Sequence, residues 1–420
     1  MNTSLLTHIK RKQAHGAGLF TAVAIALFGW SAASSAGTLE QAKRMHDRLT
    51  GVPPTETILL QMKAELDKGE SGSVNGVAAA MIAMEHDGFY NVTLKNWAAP
   101  WTNREQDVFV PLNDYTSTVV GFVRDELDFR ELLYADILYV GDSSGLPAYS
   151  NSNNDHYEQL ESSGVSLKDT LVSRSQSSLT GLPSDATAGV VTSRAAARSF
   201  FKAGTNRANF RFTLLNHLCM DLEQVHDVSR VPDRIRQDVS RSPGGDARVY
   251  LNNCLGCHAG MDPLAQAFAY YDYLYDADED LLGENGQISY NAAGTSDPET
   301  GTRVKAKYHI NSATFPGGYV TPNDNWENYW RKGQNQVLGW DAQLPGSGSG
   351  ARSMLQELAH TEAFASCQVK KVFQAVCLRE PGDADDRAAI TSMVSSFKNT
   401  TYNIKQVFAE SADYCKGGDE

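Results

Sequence analysis

Two thiols and an imidazole fall within one short run, Cys254-Leu255-Gly256-Cys257-His258. On a turn of helix, thiols at i and i+3 share a face, so both can add to the vinyl groups of a single porphyrin. His258, next to the second thiol, then turns its imidazole toward the iron as the proximal ligand. C-x-x-C-H is the spacing of covalent c-type haem attachment, and the expected cofactor is one haem c held by Cys254, Cys257 and His258. A redox dithiol or a zinc half-site would use the same thiols, although the zinc reading lacks the second Cys pair of a ribbon.

The neighbours of this run have expected roles of their own. Met261 lies three residues after His258, so on a continuing helix it stays on the proximal side and packs rather than ligates. Asp262-Pro263 is expected to end that turn, because proline restricts the residue before it and removes a donor. A backbone carbonyl there would orient His258 through its second ring nitrogen. For the sixth iron position the first candidate is Met354, on an expected helix after the motif. Met393, His309, Met220, His217 and His226 are further candidates, and an open position is the alternative to all of them.

Lys10, Arg11 and Lys12 precede an apolar run from Ala17 to Trp30 and a small-residue tail from Ser31 to Ala36. This is the layout of a secretory signal peptide over residues 1–36, cleaved before Gly37, with an uncleaved anchor as the alternative. The apolar run is short for a membrane span, and nothing after Trp30 is apolar for long enough to cross one. No Cys stands near the cleavage point, and Arg11-Lys12 is not a twin-arginine signal. The expected location is periplasmic or secreted, where covalent haem attachment in bacteria takes place. Removing a leader with three cations and no acids takes the formal charge from −13 to −16 over 384 residues. An acidic surface disfavours nucleic acid and anionic lipid and suits a basic redox partner protein.

The elements that must position the motif read as helical. Apolar residues recur at helical spacing over Leu39–Leu49, Thr55–Leu66, Val74–His86, Tyr115–Glu126 and Leu167–Ser178, and strand-like alternation is rare. Asp142–Asp155 and Leu182–Ala188 are turn-rich linkers. The length and the 41% apolar fraction suffice for two or three packed modules.

Four cysteines remain outside the motif, an even number that in an oxidising compartment argues for two disulfides. If residues 362–378 form one helix, Cys367 and Cys377 stand about 15 Å apart along its axis, beyond disulfide reach. An up-down-up arrangement of helices near 362–378, 385–398 and 403–413 brings the third helix's end beside the first's. The expected pairs are therefore Cys377 with Cys415 and Cys219 with Cys367, and the alternative is that the thiols stay reduced and buried.

Tyr270, Tyr271, Tyr273 and Tyr275 follow the motif and are expected to pack in the core, with an electron relay as the alternative. Asp276, Asp278 and Asp280 alternate as calcium ligands do, but Leu281 and Gln287 stand where an EF-hand needs Gly and Glu, so a solvated acidic loop is expected. No G-x-S-x-G, H-E-x-x-H or Walker sequence is present.

Cys254 to Asp272 (CLGCHAGMDPLAQAFAYYD) resembles the haem-binding segment of the planctomycete-type cytochrome c-associated domain families, which run C-x-x-C-H-x-x-[MIL]-D-P-L. Ala188–Thr192 and Arg207–Cys219 resemble the same families' lead-in to the haem, and Leu358–Tyr414 resembles their C-terminal helical module. Phe129–Leu133 with Ala135-Asp136 is similar to a third block. Ala265-Gln266 replaces the families' usual Gly-Phe, and residues 284–348 are longer than their pattern.

The expected fold is all-α, a multi-module helical protein with an embedded cytochrome c-like haem segment. Its expected parts are the signal peptide, an N-terminal helical region (37–180), a haem-binding cytochrome c-like module (181–283), an inserted loop-rich region (284–348) and a C-terminal helical module (349–420). Three functions remain open at this point: an exported mono-haem cytochrome that transfers electrons, a haem-dependent peroxidase or oxidase with an open sixth position, and an accessory or binding subunit of a periplasmic redox complex. A di-haem peroxidase would need a second attachment motif, and only one is present.

Overall fold

Helix starts are written into the side chains that precede them. Asn113, Thr361, Asp383 and Asn403 each accept a hydrogen bond from a backbone N–H in the first turn of the helix they open. The computed structural model describes residues 37–68, 73–202, 206–235, 247–309 and 319–417. The expected signal peptide, residues 1–36, lies outside them.

The protein is mostly helical, at 54% helix and 7% strand, so "all-α" is corrected to helical with small sheets. Among the described residues there are three two-stranded antiparallel sheets. One of them overturns the helix expected over Leu167–Ser178. The helix is broken: Leu167–Thr170 is helical, Leu171–Ser175 is a strand paired with Ile137–Gly141, and a short helix, Gln176–Thr180, follows. The leucines at 167, 171 and 179 mimic helical spacing, yet Leu171 and its partner strand's Leu138, Tyr139 and Val140 are buried as strand residues beside Asp114–Arg124. A second sheet pairs Tyr271–Leu274 with Gln287–Tyr290, and a third joins Asn325–Glu327 to Ser347–Ser349.

One apolar core runs from Ala42 to Ala412 and takes residues from each expected region, including Trp326, Trp330 and Leu338 of 284–348. At the C-terminus Glu362–Cys377, Ala384–Asn399 and Ile404–Tyr414 run up, down and up. The last of these packs most extensively on Ser73–Met84, which ties the two ends of the described chain together. No helix among the described residues is long and apolar enough to cross a membrane.

The four remaining cysteines pair as Cys219–Cys367 and Cys377–Cys415, with Cα–Cα distances of 5.3 and 5.5 Å. The first closes 148 residues and joins the segment before the motif to the C-terminal helices; the second closes 38. By chain entropy the longer link is worth about 5 kcal/mol and the shorter about 4 kcal/mol. Replacing Cys219 and Cys367 by Ser should therefore lower stability by about 2–5 kcal/mol in urea unfolding, with the Cys377–Cys415 link intact on non-reducing peptide mapping. Four alkylatable thiols in the native wild-type protein would contradict both links.

Candidate functional site

Cys254, Cys257 and His258 open one helix, Leu255–Ala265, with Cys254 at its N-cap and the His258 N–H donating to the Cys254 carbonyl at 3.1 Å. The two cysteines are the ones left outside both disulfides, and both are half-buried, as is His258. The Cys257 thiol lies 3.3 Å from the Leu222 carbonyl, and burial pushes its pKa up.

The opposite face of the helix is pressed into the protein. Gly256 and Gly260, one turn apart, face the His226 ring and the Trp330 indole, and a Cβ at either position would overlap them. Trp330 is fully buried. Loop residues 225–227 brace the same end: the Asp227 N–H donates to the Gly256 carbonyl at 3.0 Å, and Asn335 Nδ2 donates to the Val225 carbonyl at 2.8 Å. The glycines thus let the helix sink against two rings while Cys254, Cys257 and His258 stay on its outer side.

Two expectations about this helix are corrected. Pro263 does not end it; the helix runs on to Ala265, with the Gln266 N–H donating to the Asp262 carbonyl. Pro263 has no N–H to give the Ala259 carbonyl, and the helix extends only two residues beyond it. Because the helix continues, Asp262 falls one turn beyond His258, and its side chain rather than a backbone carbonyl meets the ring: His258 Nδ1 and Asp262 Oδ1 are 3.0 Å apart. Arg207, at the start of the lead-in helix Arg207–Thr213, forks onto the same carboxylate at 2.6 and 2.8 Å. The Asp262 side chain is 1% exposed. Burial alone would raise its pKa, but the Arg207 charge and then His258 more than offset this, holding it well below the usual carboxylate range. With Nδ1 engaged, Nε2 is the nitrogen that ligation would use.

The lead-in helix is itself held. It continues as a π-helical turn, Leu214–Leu218, whose carbonyls at Asn216 and His217 accept from Lys371 Nζ at 2.6 Å and Gln368 Nε2 at 3.1 Å. Cys219 follows immediately and is tied to Cys367.

Several sequence candidates are occupied elsewhere. His217 is buried, and its Nε2 lies 2.7 Å from the Tyr115 hydroxyl; burial pulls its pKa far down. His226 is on the back of the motif helix. Met393 lies in the C-terminal bundle, its sulfur accepting from the Ser411 hydroxyl at 3.5 Å. Met354 is fully buried on Gly350–Ala359, a helix that packs against Phe129–Leu133 and Gln266–Phe268. Met261 is buried in the core, and Met220 packs against it. His309 borders residues 310–318, which lie outside the described residues. Tyr270, Tyr271 and Tyr273 are buried, the hydroxyls of Tyr271 and Tyr273 donating to the Ala186 and Gly283 carbonyls at 2.6 and 2.7 Å. Asp276 and Asp280 accept from nearby backbone N–H groups within their loop.

Among the described residues no group of three or more His, Cys, Asp or Glu side chains is placed to hold a metal ion. A cleft of about 890 Å³ lined by Phe109, Arg194, Arg198, Lys202 and Glu284 contains none of the motif residues. Sequence reasoning missed Arg207 and the carboxylate role of Asp262; the i, i+4 spacing of His258 and Asp262 was the available signal. No family model, characterised protein or solved structure matches the chain.

Gly260→Ala should destabilise the protein by about 1–3 kcal/mol through overpacking against Trp330, read from urea unfolding. An unchanged midpoint would show that the helix does not depend on this close approach.

Proposed function

We propose that the protein is an exported mono-haem c-type cytochrome that transfers electrons to or from a partner protein. The observation that carries this reading is the outer face of the Leu255–Ala265 helix. It bears two cysteines excluded from the disulfides and a histidine whose Nδ1 is fixed by a buried carboxylate. Cys254 and Cys257 would hold the haem through thioethers, each thiol adding across one vinyl group, and His258 would be the proximal ligand. Bound there, the haem supplies a one-electron couple. The resemblance of residues 254–272 to planctomycete-type cytochrome segments supports the same cofactor.

The residues of this chain contribute placement and access. His258 is fixed in tautomer and direction by Asp262, so it does not reorient between oxidation states. The half-buried positions of Cys254, Cys257 and His258 leave the attachment face within reach of a partner's surface. A formal charge of −16 without residues 1–36 steers a basic partner toward the protein, with rates that fall as salt rises. With a strong sixth ligand in place, peroxide would find no vacant position.

The absorption spectrum of the purified protein tests this reading. We expect a low-spin, six-coordinate haem, slow cyanide binding and little peroxidase turnover, and no covalent haem in a Cys254→Ser/Cys257→Ser variant. A high-spin spectrum with fast cyanide binding and peroxide-driven substrate oxidation would replace electron transfer by the enzyme reading.

A further inference from the structure

We propose that Asp262 is a positioning residue that presents a full carboxylate charge to His258 Nδ1, making the proximal ligand a stronger electron donor and favouring ferric over ferrous iron. The inference rests on the haem-attachment reading of Cys254, Cys257 and His258. A carboxylate partner raises the basicity of a ligating imidazole more than a neutral carbonyl does. Here it stands 3.0 Å from the ring and is 1% exposed, so little water screens it. Arg207 forks onto both oxygens and draws the same charge away from His258. The two residues therefore act on the ligand with opposite sign.

The test compares the wild-type holoprotein with Asp262→Asn, Arg207→Gln and the double variant, after covalent haem content has been measured in each. Redox titration gives the midpoint potential. Time-resolved resonance Raman of the ferrous haem, whose sixth ligand dissociates transiently on photoexcitation, gives the iron–histidine stretch, which a merely structural role would not move. Asp262→Asn should lower the stretch and raise the potential by at least about 59 mV, a tenfold change in a one-electron equilibrium. Arg207→Gln should move both the other way. The double variant, neutral overall, should keep the lowered stretch of Asp262→Asn, since the carboxylate is gone; through-space charge alone would return it to the wild-type value.

An unmoved stretch in haem-loaded Asp262→Asn, or a wild-type stretch in the double variant, overturns the inference and leaves the attachment reading standing. Loss of covalent haem from both of these variants also overturns it, because a tuning residue leaves attachment intact. Wild-type protein without covalent haem would defeat the attachment reading and the inference together.

Discussion

A carboxylate taken out of water must be paired, and Asp262 meets that demand with Arg207 and His258. Much of the surrounding architecture follows from this requirement. Arg207 reaches Asp262 only if the lead-in helix lies alongside the motif helix. The lead-in helix keeps its place because its final carbonyls are taken by Lys371 and Gln368 and because Cys219 is joined to Cys367. The C-terminal helices thus position His258 without approaching it in sequence. Removing one partner of such a buried pair costs about 3–5 kcal/mol, so the direction of the imidazole is coupled to the stability of the fold.

The second constraint is steric. A helix that carries two half-buried thiols and an imidazole on one side needs firm support on the other. Gly256 and Gly260 give it by admitting His226 and Trp330 to backbone distance. The order of residues in the motif therefore has two meanings: Cys254, Cys257 and His258 define the outer face, and the glycines at 256 and 260 define the inner one.

Cys254, Cys257 and His258 were legible as a candidate site because their types and spacing are distinctive, and the disulfide pairs were legible because helix rise excludes Cys367 from Cys377. The three C-terminal helices could be read from their periodicity and polar caps. The strand at Leu171–Ser175 was not legible, because Leu171 falls at helical spacing from Leu167 and only pairing with Ile137–Gly141 decides the matter. The helix through Pro263 was missed because the bias against helix before proline is local, and the packing that buries Met261, Asp262, Pro263 and Leu264 overrides it. Arg207 was invisible as a site residue, since nothing in a sequence marks which arginine, 55 positions away, a buried aspartate will recruit.

Mass spectrometry of the peptide spanning Cys254 to His258 decides whether the outer face of the Leu255–Ala265 helix carries a covalently attached haem. We expect one haem-sized adduct on this peptide, with neither sulfur open to alkylation after full reduction and denaturation. Recovery of the unadducted peptide with both cysteines alkylated, from protein expressed with an intact leader in a host competent for covalent haem attachment, would contradict it.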